Sequence, residues 1–191
     1  MENRPPTELT GPFTNDERSY AIDVLKTTQA DLHQSLEGLS DYQLSYKPSA
    51  ERWSVAACVE HIALVEGRIF KGVQFGMETP VNRERRAEIS VSDVDVIKAM
   101  RSRKNARLAP AGTEPTGRFG DAAGALQAFD RVRNAVIDFG QNTQEDLRSH
   151  YFDNKIFGTI DIFQALLMMA NHSERHRKQI EEIKADTEFP R

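Results

Sequence analysis

The chain has 191 residues, with 25 Lys+Arg against 29 Asp+Glu and a formal net charge of -4, a length that suits one ordinary domain and excludes two large ones. At 39% hydrophobic and 28% charged, with 11 Gly and 8 Pro, it can bury a core and has neither a disordered nor a fibrous composition. The single cysteine, Cys58, excludes a disulfide framework and a thiolate-rich metal site, leaves histidine and carboxylate as the plausible metal ligands, and fits a reducing, cytoplasmic setting.

Residues 1–13 carry three prolines, Pro5, Pro6 and Pro12, and read as a flexible tail without the apolar stretch of a signal peptide. Thr14 and Glu17 have the spacing of a capping box, and Ile22, Leu25, Leu32 and Leu36 give an apolar stripe, which predicts a helix over about residues 15–38. Gly38, Ser40 and Asp41 end it, and Tyr46-Lys47-Pro48-Ser49 predicts an extended approach to the next element. Ser54 caps a second helix with the Trp53 indole as an apolar anchor beside it, and Val55, Val59, Ile62, Ile69 and Val73 carry it to near Gly76.

Residues 77–91 read as a loop. Ser92 caps a shorter helix through Val94, Ile97 and Met100 toward Leu108, an insertion ended by the prolines and glycines of 110–120. A third long helix is expected from Asp121 to Phe139, a capped turn from Thr143 toward Leu147, and a last helix from near Thr159 to Lys184, followed by a tail at 186–191. No alternating strand pattern competes. The longest oily run, Phe163 to Ala170, is broken by Gln164 and preceded by Asp161, so no membrane span is expected. The basic clusters at 83–86 and 101–107 lack aromatic interleaving in an acidic chain, and nucleic acid is not an expected partner.

Four amphipathic helices predict an all-α bundle, and the long connection over residues 77–120 can span a bundle length and make the second and third helices parallel. An alternating bundle would leave His61 and the pair His172/His176 at depths differing by about 9 Å at 1.5 Å rise per residue. An up-down-down-up order removes much of that mismatch.

His172 and His176 lie four apart on one helical face and can converge on one ion. His61, between Val59 and Ile62 on a helix facing the same core, is the expected third imidazole, since a buried one needs a partner or a metal. Three nitrogen donors suit Zn, Ni, Fe or Mn better than Mg or Ca. Gln179, three residues beyond His176, can orient a ring or a water, whereas Asn171 and Arg175 are expected on flanking faces. Glu174 lies about 200° around the helix from His172, outside the pocket, and no His-Glu-x-x-His protease arrangement is present. Cys58 reads as a small buried hydrophobe rather than a nucleophile, and His33 and His150 as surface or capping residues. Tyr151, Phe152 and Phe157 are expected to supply apolar contacts or a pocket rim near the last helix.

The run Trp53-Ser54-Val55 followed by Glu60-His61-Ile62, and later Asn171-His172-Ser173-Glu174-Arg175-His176-Arg177-Lys178-Gln179-Ile180, resembles the DinB superfamily over about residues 14–184. The resemblance implies an up-down-down-up four-helix bundle with an extra helix in the crossover, a single domain over 14–185, homodimerisation, and a divalent ion, often Zn or Ni, held by His61, His172 and His176. It further implies a thiol-dependent transferase or isomerase, in which an open metal position activates a low-molecular-weight thiol toward an electrophile. Hydrolysis by activated water, and non-catalytic metal binding in a stress-associated protein, are the alternatives.

Overall fold

Thr14 opens α1 (Asn15–Leu36): its Oγ1 accepts the Glu17 amide at 3.2 Å and the Glu17 carboxylate accepts the Thr14 amide at 2.8 Å, so two amides left unpaired by the helix start are satisfied reciprocally. The same device starts α2 (Asp41–Ser45) at Ser40 and Gln43, a short helix in a stretch the sequence reads as turn and extended chain. Ser54 alone caps α3 (Val55–Glu78), a 3-10 turn follows at Arg83–Glu88, and Ser92 with Asp95 caps α4 (Asp93–Arg101). Asp121 caps α5 (Ala122–Asn142), and Asp161 with Gln164 caps α6 (Ile162–Lys184). This computed structural model describes residues 12–104 and 108–191. The expected tail up to residue 11 and the end of the second basic cluster, 105–107, lie outside the described residues.

Two differences from expectation concern the approach to α6. The last helix begins at Ile162 rather than near Thr159, because residues 158–161 pair instead in an antiparallel hairpin of β1 (Tyr151–Asn154) and β2 (Gly158–Asp161). The Asn154 side-chain oxygen accepts the amides of Ile156 at 2.7 Å and Phe157 at 3.2 Å, and Gly158 supplies φ 73°, a turn that only a short polar side chain and a glycine build cheaply. Four-residue strands are too short to register as an alternating pattern.

The buried side chains show the order of the four long helices. Leu32 of α1, Val55 and Val59 of α3, Ala125 and Phe129 of α5, and Ile180 and Ile183 of α6 pack at one end. Ala21 and Leu25, Ile69 and Val73, Val136 and Ile137, and Phe163 and Leu166 pack at the other. The starts of α3 and α5 therefore meet the ends of α1 and α6, which is the up-down-down-up order, with α3 antiparallel to α6. His61, early in α3, thereby faces the later half of α6.

Two fully buried arginines tie this frame together. Arg133 of α5 bonds both Glu66 oxygens, the Leu25 carbonyl, Thr28 Oγ1 at 2.8 Å and Ser173 Oγ at 2.7 Å, so one guanidinium touches α1, α3 and α6. Arg148, just before the hairpin, bonds Glu17 of α1, Asp93 of α4 and the α6 cap Asp161. Buried guanidiniums have five donors in fixed directions, so each network admits essentially one register of the helices around it.

Gly76 shows how closely α3 approaches the hairpin. A methyl group there would overlap the Tyr151 backbone oxygen, with the Ile162 side chain 3.1 Å away. The oxygen belongs to β1 and cannot swing aside as a side chain could. Gly76→Ala is expected to cost about 1–3 kcal/mol of stability, read as a lowered midpoint in urea unfolding. An unchanged midpoint would mean that the hairpin yields freely.

Candidate metal centre

His61 from α3 and His172 and His176 from α6 come together as the helix order requires. One ring nitrogen from each can be chosen so that all three lie within 4.8 Å of one another. Their ring centroids are 5.1 Å apart for His61 and His172, 4.6 Å for His61 and His176, and 4.5 Å for His172 and His176. Trp53, expected as an apolar anchor, is part of the site: its ring lies 4.7 Å from that of His61 and stacks on His176 at 5.9 Å.

Two of the imidazoles are oriented through their other nitrogen. His61 Nδ1 lies 2.7 Å from the Thr113 carbonyl oxygen, and His176 Nδ1 lies 3.0 Å from Gln179 Oε1. Both oxygens are acceptors, so each Nδ1 carries the proton and each Nε2 keeps its lone pair, the form that ligates a metal. Gln179 Oε1 also accepts from Arg103 Nη1 at 3.0 Å, which holds the amide oxygen toward the ring.

The loop bearing Thr113 is anchored by Glu60, the neighbour of His61. Its buried carboxylate accepts the amides of Thr116 at 3.0 Å, Gly117 at 2.9 Å and Arg118 at 2.8 Å. Burial alone would raise the Glu60 carboxyl, but these three amides reverse the effect and leave it below the ordinary carboxylate range. One helix turn thus supplies both an imidazole and the clamp on the loop that orients it.

All three histidines are held neutral. Burial lowers His61, against the opposing pull of its Thr113 bond and of Glu114. Burial and then the neighbouring His176 and His61 rings push His172 well down, and burial followed by His61 does the same to His176. Two protonated rings at this spacing would repel each other in a poorly solvated place. Three neutral nitrogen donors with two of their tautomers set, and no thiolate or carboxylate among them, fit an intermediate divalent transition ion rather than Mg or Ca.

The triad lines a cavity of about 720 Å³. Val65, Ile69, Met100 and Met168 form a buried apolar part of its wall, with Phe152 on one side. Phe152 is the expected rim residue, whereas Phe157 and Tyr151 are buried and do not line the cavity.

The remaining sequence candidates separate clearly. Glu174 turns away to Arg177 at 2.7 Å and Lys178 at 3.6 Å, as expected. Arg175, expected on a flank, is buried and lines the cavity, and Asn171 is buried against Arg101. His33 is at the surface beside Asp130, while His150 is buried under α3, 3.3 Å from the Gly76 carbonyl, rather than exposed. Cys58 is fully buried in the core, and burial pushes its thiol up to about 12. Native protein is therefore expected to resist iodoacetamide at pH 8, with modification only after denaturation, and Cys58→Ala should retain its metal. Rapid native alkylation followed by mass spectrometry would contradict this.

Comparison with known proteins bears on the fold and the family. YuaE, an uncharacterized protein of Bacillus subtilis (strain 168), is 26% identical over 153 residues, spanning 80% of this chain and 90% of its own. A solved structure described as "YfiT from Bacillus subtilis is a probable metal-dependent hydrolase with an unusual four-helix bundle topology" superposes with a TM-score of 0.59 at 16% identity, covering 98% of this chain and 94% of that one. The fold is thus shared with YfiT. The DinB superfamily profile matches residues 25–180, from the middle of α1 to beyond the last histidine of α6, and the chain belongs to that superfamily.

Proposed function

We propose that the protein is a metal-dependent hydrolase of small molecules, with His61, His172 and His176 as metal ligands and Gln179 orienting His176. The observation that carries the reading is that three neutral imidazoles line one wall of a cavity of about 720 Å³, a volume in the range of small-molecule sites. A divalent ion there supplies a Lewis acid and brings the deprotonation of a bound water or thiol toward neutral pH. The chain's own residues position and shield. Thr113 and Gln179 hold two rings in their ligating tautomer, and Trp53 covers the faces of His61 and His176. Description of the structural neighbour YfiT as a probable metal-dependent hydrolase supports the same chemistry.

One observation favours a second reading, transfer of a low-molecular-weight thiol to an electrophile. The carboxylates lining the cavity among the described residues are Glu51 and Asp153, which are bonded to Ser49 and to Arg85 and Thr159. A thiol, with an ordinary pKa of about 8.5 against about 15.7 for water, needs no such base.

Zn- or Ni-loaded protein, assayed with an ester panel in ¹⁸O-water and separately with cysteine plus chloro- and epoxide electrophiles, separates the readings. Expected is metal-dependent ester cleavage with ¹⁸O in the acid product and no thiol requirement. Metal-dependent thiol consumption without cleavage would replace hydrolysis by transfer, and stoichiometric metal with neither activity would leave a metal-binding protein without turnover. A homodimeric state is proposed alongside, and a concentration-independent mass of one chain in light scattering would remove it.

A further inference from the structure

We infer that the molecule received at this centre is a small organic anion with an apolar body, its acid group held by basic residues at the cavity rim; this rests on the proposal that the three histidines form the reactive centre. The chain is acidic overall, at -4, yet five of the residues lining the cavity are basic (Arg52, Arg68, Arg103, Lys155 and Arg175) and two are acidic. That excess is therefore local and not a reflection of composition.

The partners of these groups sharpen the argument. Asp153 is matched by Arg85 at 3.1 Å, outside the set lining the cavity, and Arg103 is matched by Glu182 at 2.6 Å. Arg68 Nη1 donates to the neutral Ala111 carbonyl at 2.9 Å, which fixes the side chain without cancelling its charge. Arg52 and Lys155 form no ion pair among the described residues. All three of these cations are exposed, which places them at the rim, while Val65, Ile69, Met100 and Met168 are buried below. Arg52 lies within electrostatic reach of Glu182 and Asp186 but, like Arg68 and Lys155, forms no ion pair among the described residues, and apolar wall beneath with such cations above is the complement of an amphiphilic acid. A guanidinium pairs with carboxylate or phosphate in a planar, two-point contact, so either acid group satisfies the rim.

Trp53 is the one tryptophan and lines the cavity, so its fluorescence reports occupancy. The probes are 4-phenylbutyrate, 4-phenylbutyl phosphate and the neutral 4-phenylbutyramide, titrated into the protein as isolated and after chelator dialysis. Both acids are expected to bind about tenfold or more tightly than the amide, in both forms of the protein. The stronger acid identifies the preferred headgroup. In Arg52→Gln/Arg68→Gln/Lys155→Gln the preference should fall to about one, and raised salt should weaken the acids but not the amide.

Equal affinities for acid and amide, no binding of any probe, or a preference that survives the triple substitution would overturn the inference. A preference present only with metal would assign the anion to the ion and overturn the role of the rim. Metal analysis of the same samples keeps the two proposals apart. Protein without metal affinity that still prefers the acids would reject the hydrolase and keep the anion site, whereas metal-loaded protein without the preference would do the reverse.

Discussion

Replacement of any one of His61, His172 or His176 by alanine is expected to reduce bound metal from about one ion per chain to near none, with the helical circular dichroism unchanged. An ion held by these three imidazoles would lose a third of its protein ligands in each variant. Binding free energy at such sites is large, so the loss is expected to reach several orders of magnitude in affinity. Gln179→Ala should be milder, about 10–100-fold, because it removes the acceptor that orients His176 and not a donor. Folding should survive in all four, since the helices are held in register by Arg133 and by apolar packing at both ends of the bundle.

The lowered proton affinity of the three rings adds a pH test with a definite sign. Protons and metal compete for the same nitrogen lone pairs. Rings held below the ordinary imidazole range stay neutral to more acid pH, so metal should be retained below the pH at which exposed histidines release it. Elemental analysis across a dialysis series from pH 8 to pH 5 measures both results. Full metal in His61→Ala would take that residue out of the ligand set.

How much of this site was legible before the structure depends on the range of each interaction. His172 and His176 are four residues apart on one helix, and their convergence follows from helical geometry alone. His61 needed the helix order as well, and the long 77–120 connection made that order readable. The Thr113 carbonyl and the Glu60 clamp were out of reach, because they join residues 52 to 58 positions apart through an irregular loop. A backbone carbonyl also carries no residue-type signal.

Charge was legible in a different measure. Arg175 was expected on a flanking face, and arginine is rarely buried without a partner, yet the structure buries Arg133, Arg148 and Arg175. The partners that make this possible, Glu66 for Arg133 and Glu17, Asp93 and Asp161 for Arg148, come from other elements. A pattern read along one helix cannot see them. Asp161 had a local clue: with Gln164 it forms a capping box that moves the start of the last helix beyond the expected Thr159.

Arg148→Met is expected to destabilise the fold by about 3–5 kcal/mol at pH 8, the cost of leaving buried charge without its partner. Arg148 is fully buried, and its guanidinium bonds three carboxylates: Glu17, Asp93 at 3.0 and 2.7 Å, and Asp161 at 2.8 Å. It also lies 4.2 Å over the Phe163 ring. Methionine fills part of the volume but answers none of the acids, which join α1, α4 and the start of α6.

The deficit should shrink in acid. Burial pushes the Asp161 carboxyl up to about 6, with Arg148 pulling in the opposite direction. A carboxyl raised in the folded state holds a proton that the unfolded chain releases, so its contribution is fully present below the unfolded value and is lost as pH rises through about 6. Loss of Arg148 removes the guanidinium that holds Asp161 down, and a proton can then take its place. The difference in unfolding free energy between wild type and Arg148→Met is therefore expected to be about 1 kcal/mol or more smaller at pH 5 than at pH 8. Urea unfolding at the two pH values reads it directly. A deficit below about 1 kcal/mol at pH 8 would show that the three acids find other partners, and an equal deficit at both pH values would show that Asp161 is not the group that takes up the proton.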